Sequence, residues 1–147
     1  MDSVWILLAS AAGACIALQA AANGSLRAAV GDVRYAAFFS ICGTVMTAVA
    51  LMLALRPTPP ALAAVRAAPW WNWTGGPLGA AVVMAGAALA PRLGSATFIA
   101  AVVAGQLACS LFLDHFGLMH LPQQTLSAGR LLGGLLVFAG VVLVKYC

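Results

Sequence analysis

Long apolar runs separated by short polar links set the plan of this chain. Five stretches, 4–22, 35–55, 75–90, 95–113 and 126–144, read as continuous helices. Crossing the hydrocarbon core takes roughly 20 apolar residues as a helix. Four of the stretches come close to that length, and the third is short enough to begin inside the headgroup layer. The runs are continuously apolar rather than alternating, which argues against a β-barrel. The predicted fold class is therefore an all-α membrane protein. Residues 1–147 form a single domain of five transmembrane helices, with no room left for a soluble domain.

The links carry their own signals. Asn23-Gly24 reads as a stop for the first span, followed by a polar link over 25–34. Arg56-Pro57-Thr58-Pro59-Pro60 ends the second span, because proline removes donors and clashes with the preceding turn. Residues 61–68 suit a short interfacial helix. Pro69-Trp70-Trp71-Asn72-Trp73 follows as an aromatic anchor of the kind the membrane–water interface favours. Pro91-Arg92-Leu93-Gly94 is so short that the third and fourth spans should form a tight antiparallel hairpin. Residues 114–125 make the last loop, and Ser127 is placed to cap the fifth span.

Composition agrees with a lipid environment. Charged residues are 7% of the chain, against roughly 25% in soluble domains. Hydrophobic residues are 64%, and mean hydropathy is +1.05. The net charge of +4 comes from single residues at span ends. Their partners are membrane lipids, through headgroup phosphates, and not nucleic acid, which wants a basic stripe. Cys15, Cys42 and Cys109 fall within spans and Cys147 is terminal, so they read as small hydrophobes rather than disulfides. No Cys/His spacing suggests a metal, and no cofactor motif is present. Ala20-Ala21-Ala22 resembles a signal-peptide cleavage site, but the segment before it holds Asp2 and no Lys or Arg. It is therefore kept as the first helix.

Charge placement bears on orientation. Arg56, Arg66 and Arg130 fall on one side of the bilayer; Arg27, Arg34, Arg92 and Lys145 fall on the other. Lys/Arg bias orients membrane proteins, and here it nearly cancels. The expectation is dual topology, with an upside-down second copy supplying the inverted repeat that transporters commonly use.

Polar groups inside the spans are the candidate chemistry, since they are expensive at lipid depth and face protein or water. Gln19 and Asn23 share one face of the first span. Ser40, Thr44 and Thr47 line the second, and Gln106, Ser110 and Asp114 the fourth. Gln19, Asn23 and Gln106 are expected to line a cavity, because a primary amide must find several partners. Ser110 and Thr44 join them as candidates, although such hydroxyls often bond their own backbone. Trp5, Phe39 and Phe98 would add apolar walls. Asp114, near the interface, is a candidate for ion or proton coupling, but pairing with His115 or Arg130 is the preferred reading. Gly79 and Gly86, like Gly133 and Gly140, make small-residue faces suited to close packing within the protomer or across a dimer. No nucleophile–base pair lies at lipid depth, so no catalytic residue is expected.

Several motifs together resemble a known family. They are Pro91-Arg92-Leu93-Gly94-Ser95-Ala96-Thr97-Phe98, Val102-Val103-Ala104-Gly105-Gln106-Leu107 and Asp114-His115-Phe116-Gly117. Gln19-Ala20-Ala21-Ala22-Asn23-Gly24-Ser25-Leu26-Arg27 and Gly129-Arg130-Leu131-Leu132-Gly133-Gly134 add to them. They resemble the YdcZ-type branch of the drug/metabolite transporter superfamily over essentially the whole chain. The resemblance implies a five-helix half-transporter in the bacterial inner membrane. Four-helix small multidrug exporters of that superfamily work as antiparallel homodimers and use a glutamate in their first helix. This chain has no glutamate, so their proton-exchange mechanism does not carry over. The expected function is export of small organic metabolites or drug-like molecules by a homodimer, probed through a shared cavity. The alternative is a non-transporting subunit that pairs with a five-helix paralogue.

Overall fold

The computed structural model describes residues 2–147, with Asp2 described by its backbone alone. The Asp2 side chain lies outside the described residues. Six α-helices follow one another: α1 (Asp2–Val30), α2 (Val33–Leu55), α3 (Leu62–Ala67), α4 (Gly75–Leu93), α5 (Ser95–Phe116) and α6 (Ala128–Tyr146). Among the described residues, five helical stretches are long and apolar enough to cross a membrane, all but the short α3. The helices group into two compact units, Met1–Pro91 and Arg92–Cys147.

The first unit corrects one boundary. Helix α1 does not stop at Asn23-Gly24 but continues to Val30, so most of the predicted polar link is helical. Its 29 residues extend about 43 Å at 1.5 Å per residue, longer than a hydrocarbon core of about 30 Å. The true stop is Gly31, whose φ of +76° only glycine adopts freely, and its N–H returns to the Arg27 carbonyl at 2.9 Å. Gly24 serves a different purpose. A Cβ there would lie 2.9 Å from Pro91 Cγ, so glycine permits α4 to approach α1. The Asn-Gly pair is a packing notch, and no local rule distinguishes a notch from a stop.

Asp32 starts α2. Its carboxylate accepts from the Arg34 backbone N–H at 2.7 Å and from the Arg34 guanidinium at 2.7 to 3.2 Å. Those bonds, the side-chain ones foremost, hold the Asp32 carboxyl down at about 2. Arg56 ends α2 in the left-handed region (φ 45°), its N–H on the Met52 carbonyl, just ahead of the prolines. Helix α3 and a 3₁₀ turn over Trp70–Thr74 follow, with Trp70 and Trp73 exposed. The third apolar stretch is longer than its sequence suggests, because this turn runs directly into α4 and gives 24 helical residues, Trp70–Leu93. Pro91 sits inside the last turn of α4 without ending it. It lacks an N–H, so the Ala87 carbonyl loses its helical partner. The Arg27 guanidinium donates to the next carbonyl, Ala88 O, at 3.2 Å. A cation is favoured there, against the negative end of the α4 dipole.

Buried residues in this unit are small: Ala20, Gly24, Ala36, Ala37, Gly86, Ala87 and Ala90, with Asn23 the exception. Close backbone approach through small residues is the main source of helix association in lipid, where apolar burial gives no driving force.

In the second unit α5 and α6 pack antiparallel, as the pairings of Leu111 with Gly134 and Asp114 with Arg130 show. Gly117 (φ +59°) ends α5, and a short 3₁₀ turn spans Leu118–His120. Ser127 caps α6, its hydroxyl accepting from the Arg130 N–H at 3.3 Å. The loop between is stitched to the end of α5. Gln124 N–H donates to the Asp114 carbonyl at 2.8 Å, and Gln123 Nε2 to the His115 carbonyl at 2.9 Å.

Candidate functional site

Two groups of residues hold the chemistry, one in each unit. In the first, Asn23 is 5% exposed and its Nδ2 has no hydrogen-bond partner among the described residues. A buried amide left unpaired costs about 1–3 kcal/mol, so this group asks for an explanation. Gln19, one turn earlier on the same helix, is exposed. Thr44 and Thr47 donate to their own helix, at Ser40 O (3.1 Å) and Gly43 O (2.9 Å). Those two hydroxyls are satisfied without a partner element. Trp5 and Phe39 are exposed, at 65% and 51%.

In the second unit Gln106 and Ser110 are exposed on α5, while Phe98 is buried. The residues expected to share a cavity are thus divided between the units. Gln19 and Asn23 are brought together on α1, and Gln106 and Ser110 on α5. Gly79, Gly133 and Gly140 face open space, where a Cβ would meet nothing within 4 Å. Gly86 is buried. The close-packed glycine of α6 is Gly134, where a Cβ would lie 3.2 Å from Leu111 Cδ1.

Asp114 is ion-paired with Arg130, which also donates to Gln124 O at 3.0 Å. Each charge lies at the unfavourable end of its own helix dipole, the carboxylate at the α5 C-terminus and the guanidinium in the first turn of α6. The antiparallel pairing sets those ends side by side, and each charge offsets the other's mismatch.

Beside this pair lies an apolar cleft between α5 and α6 of about 380 Å³. Leu111, Phe112, Phe116, Leu135 and Phe138 form much of its wall, and His115 is its one titratable group. Phe112 and Phe116 rings are 4.9 Å apart, and His115 meets Phe116 edge-on at 4.7 Å. Leu126 N–H donates to His115 Nδ1 at 3.1 Å. Sequence reasoning passed over this cleft. The signal was there in Ala108, Phe112 and Phe116 on one face of α5 and Leu131, Gly134 and Phe138 on one face of α6, at helical spacing. It could not be told from ordinary lipid-facing apolar residues.

No curated protein and no solved structure matches the chain. A family profile does: the one described as "Putative inner membrane exporter, YdcZ" matches residues 4–143. With that match covering nearly the whole chain, and five membrane-length helices beneath it, this chain belongs to the YdcZ family of inner-membrane exporters and is a multi-pass inner-membrane protein.

Proposed function

We propose that the chain is a half-transporter that exports small organic molecules as a homodimer, with its two copies antiparallel. The carrying observation is the Asn23 amide, buried and unpaired in this conformation. In an exporter that alternates between conformations, such a group is reached by substrate in one state and closed off in another. The exposed amides of Gln19 and Gln106 support the same reading. Lipid offers them no partner, and burying a primary amide without one is unfavourable. A shared cavity would satisfy Gln19, Asn23 and Gln106 and leave Ser110 and Thr44 at its edge. Trp5, Phe39 and Phe98 would supply apolar walls. Asp114 is held by Arg130 and is not offered as a coupling group. With no unpaired charge among these amides, the substrate is neutral, zwitterionic or amphipathic.

The test uses a compound selected by thermal shift on the purified protein, since a ligand that prefers the folded state raises Tm. Gln106→Leu should weaken its binding by roughly 5- to 150-fold, the equivalent of about 1–3 kcal/mol for an unpaired polar group. Its Tm without ligand should stay unchanged. Unaltered binding in Gln106→Leu, beside a lowered Tm, would show that the amide only joins helices.

A further inference from the structure

The cleft between α5 and α6 has a chemistry of its own, independent of the shared amide cavity. We infer that the cleft between α5 and α6 binds a small molecule with an apolar, preferably aromatic, body and one terminal hydrogen-bond acceptor, which the His115 Nε2–H recognises.

The Leu126 backbone N–H points at His115 Nδ1 at 3.1 Å. A nitrogen that accepts a hydrogen bond carries no proton, so in the neutral ring the proton lies on Nε2. Among the described residues no group accepts from that Nε2–H. The loop therefore leaves His115, a residue of the cleft wall, with one donor, Nε2–H, to offer.

The surroundings make the donor selective. The wall is apolar apart from this imidazole, with three phenylalanines, Phe112, Phe116 and Phe138. The nearby charges, Asp114 on α5 and Arg130 on α6, are spent on each other. The guanidinium is further held by Gln124 O. Neither a cation nor an anion finds a counter-charge here. A volume of about 380 Å³ lies at the small end of ligand pockets, which run roughly 300–1,000 Å³. It suits one or two fused rings, and the rings of Phe112, Phe116 and Phe138 line it from its open side. A bare hydrocarbon chain would fill the apolar wall but leave the donor unmet.

The experiment follows the imidazole directly. The protein is labelled with ¹⁵N-histidine, which marks His115 and His120, and held as a monomer in detergent near pH 8. Its ¹⁵N spectrum should show His115 protonated at Nε2 and bare at Nδ1. Two probes of similar shape are then titrated, 1-acetylnaphthalene with a carbonyl acceptor and 1-ethylnaphthalene without one. The ketone should shift the His115 Nε2 signal saturably and bind about fivefold more tightly, the worth of about 1 kcal/mol for one net hydrogen bond. Ala108→Trp, on the exposed rim of the cleft, should abolish the response by filling it. Equal affinity for the two probes overturns the inference without any variant. So does the opposite tautomer, a response that survives Ala108→Trp, or a response present only in dimers. The measurement needs neither transport nor a dimer, so its failure leaves the shared amide cavity standing, and failure of the Gln106→Leu test leaves this cleft standing.

Discussion

Gly24→Ala is the sharpest perturbation of the first unit. Two effects oppose each other. Alanine is the better helix former by about 0.8–1.0 kcal/mol in a helix interior. Against that, its Cβ would lie 2.9 Å from Pro91 Cγ and 3.3 Å from Pro91 Cδ. A change of ring pucker moves Cγ but leaves Cδ, 3.3 Å away, so α4 must still give by a few tenths of an ångström to reach ordinary contact near 3.5 Å. That shift also strains the bond from Arg27 to Ala88 O, now 3.2 Å. Overpacking of this kind costs about 1–3 kcal/mol. Gly13→Ala is the reference, because Gly13 lies on the same helix and a Cβ there meets nothing within 4 Å. The two substitutions share the propensity gain, so their difference isolates the clash. Gly24→Ala should be less stable than Gly13→Ala by about 1–3 kcal/mol, measured by helicity during unfolding in mixed micelles with rising dodecyl sulfate. Equal stability of the two variants would refute the notch and return Gly24 to the role of an ordinary helical glycine.

Three further outcomes are expected. Arg130→Met should destabilise by about 1–2 kcal/mol, between surface and buried ion-pair values, and Asp114→Asn in the same chain should recover most of the loss; thermal unfolding of the two variants checks this. The Asp32 carboxyl should titrate at about 2 by carbon NMR. Its folded value is depressed, so its contribution to stability is complete above an unfolded value of about 3.9 and is lost as pH falls toward 2; Asp32→Asn should remove that part of the acid dependence. Reporters fused at Cys147 should detect both orientations in the wild-type protein, and two lysines added beside Lys145 should place the C-terminus in the cytoplasm; a wild-type signal from one side only ends the dual-topology reading.

The spans were legible because hydropathy along a chain is a one-dimensional signal, and lipid admits few backbone solutions. Ends set by local chemistry were legible too, such as Arg56 before its prolines and Ser127 at the start of α6. Boundaries that depend on a distant residue were not. Gly24 continues a helix because Pro91 needs its space, and Pro91 continues one with no N–H for the Ala87 carbonyl and with Arg27 placed on Ala88 O. Each would have required knowing that residues more than 60 positions apart in sequence meet. The amides stood out from sequence because an apolar helix has no use for them. The cleft did not, because its wall is made of the same residues that face lipid everywhere else.

The size of the buried residues narrows where any organic molecule can bind. In the first unit they are alanine and glycine apart from Asn23, and in the second Ala104, Gly134 and Phe98. Helices held together by such residues approach backbone to backbone, which leaves little room for a ligand between them. A site is then expected either on an outer face, where Gln19 and Gln106 are, or in an open groove between two helices. The second condition is met in the Arg92–Cys147 unit, where the exposed rings of Phe112 and Phe138 wall a cleft between α5 and α6. The first condition needs a further surface to cover the amides, since a single unit leaves them open to lipid. The two sites therefore make opposite demands. The cleft should bind its ligand in an isolated protomer, and the amide site should bind only in the assembly. Binding measured across dissociation of the proposed dimer separates them, and an amide-dependent ligand that holds on in the monomer would rule out the shared cavity.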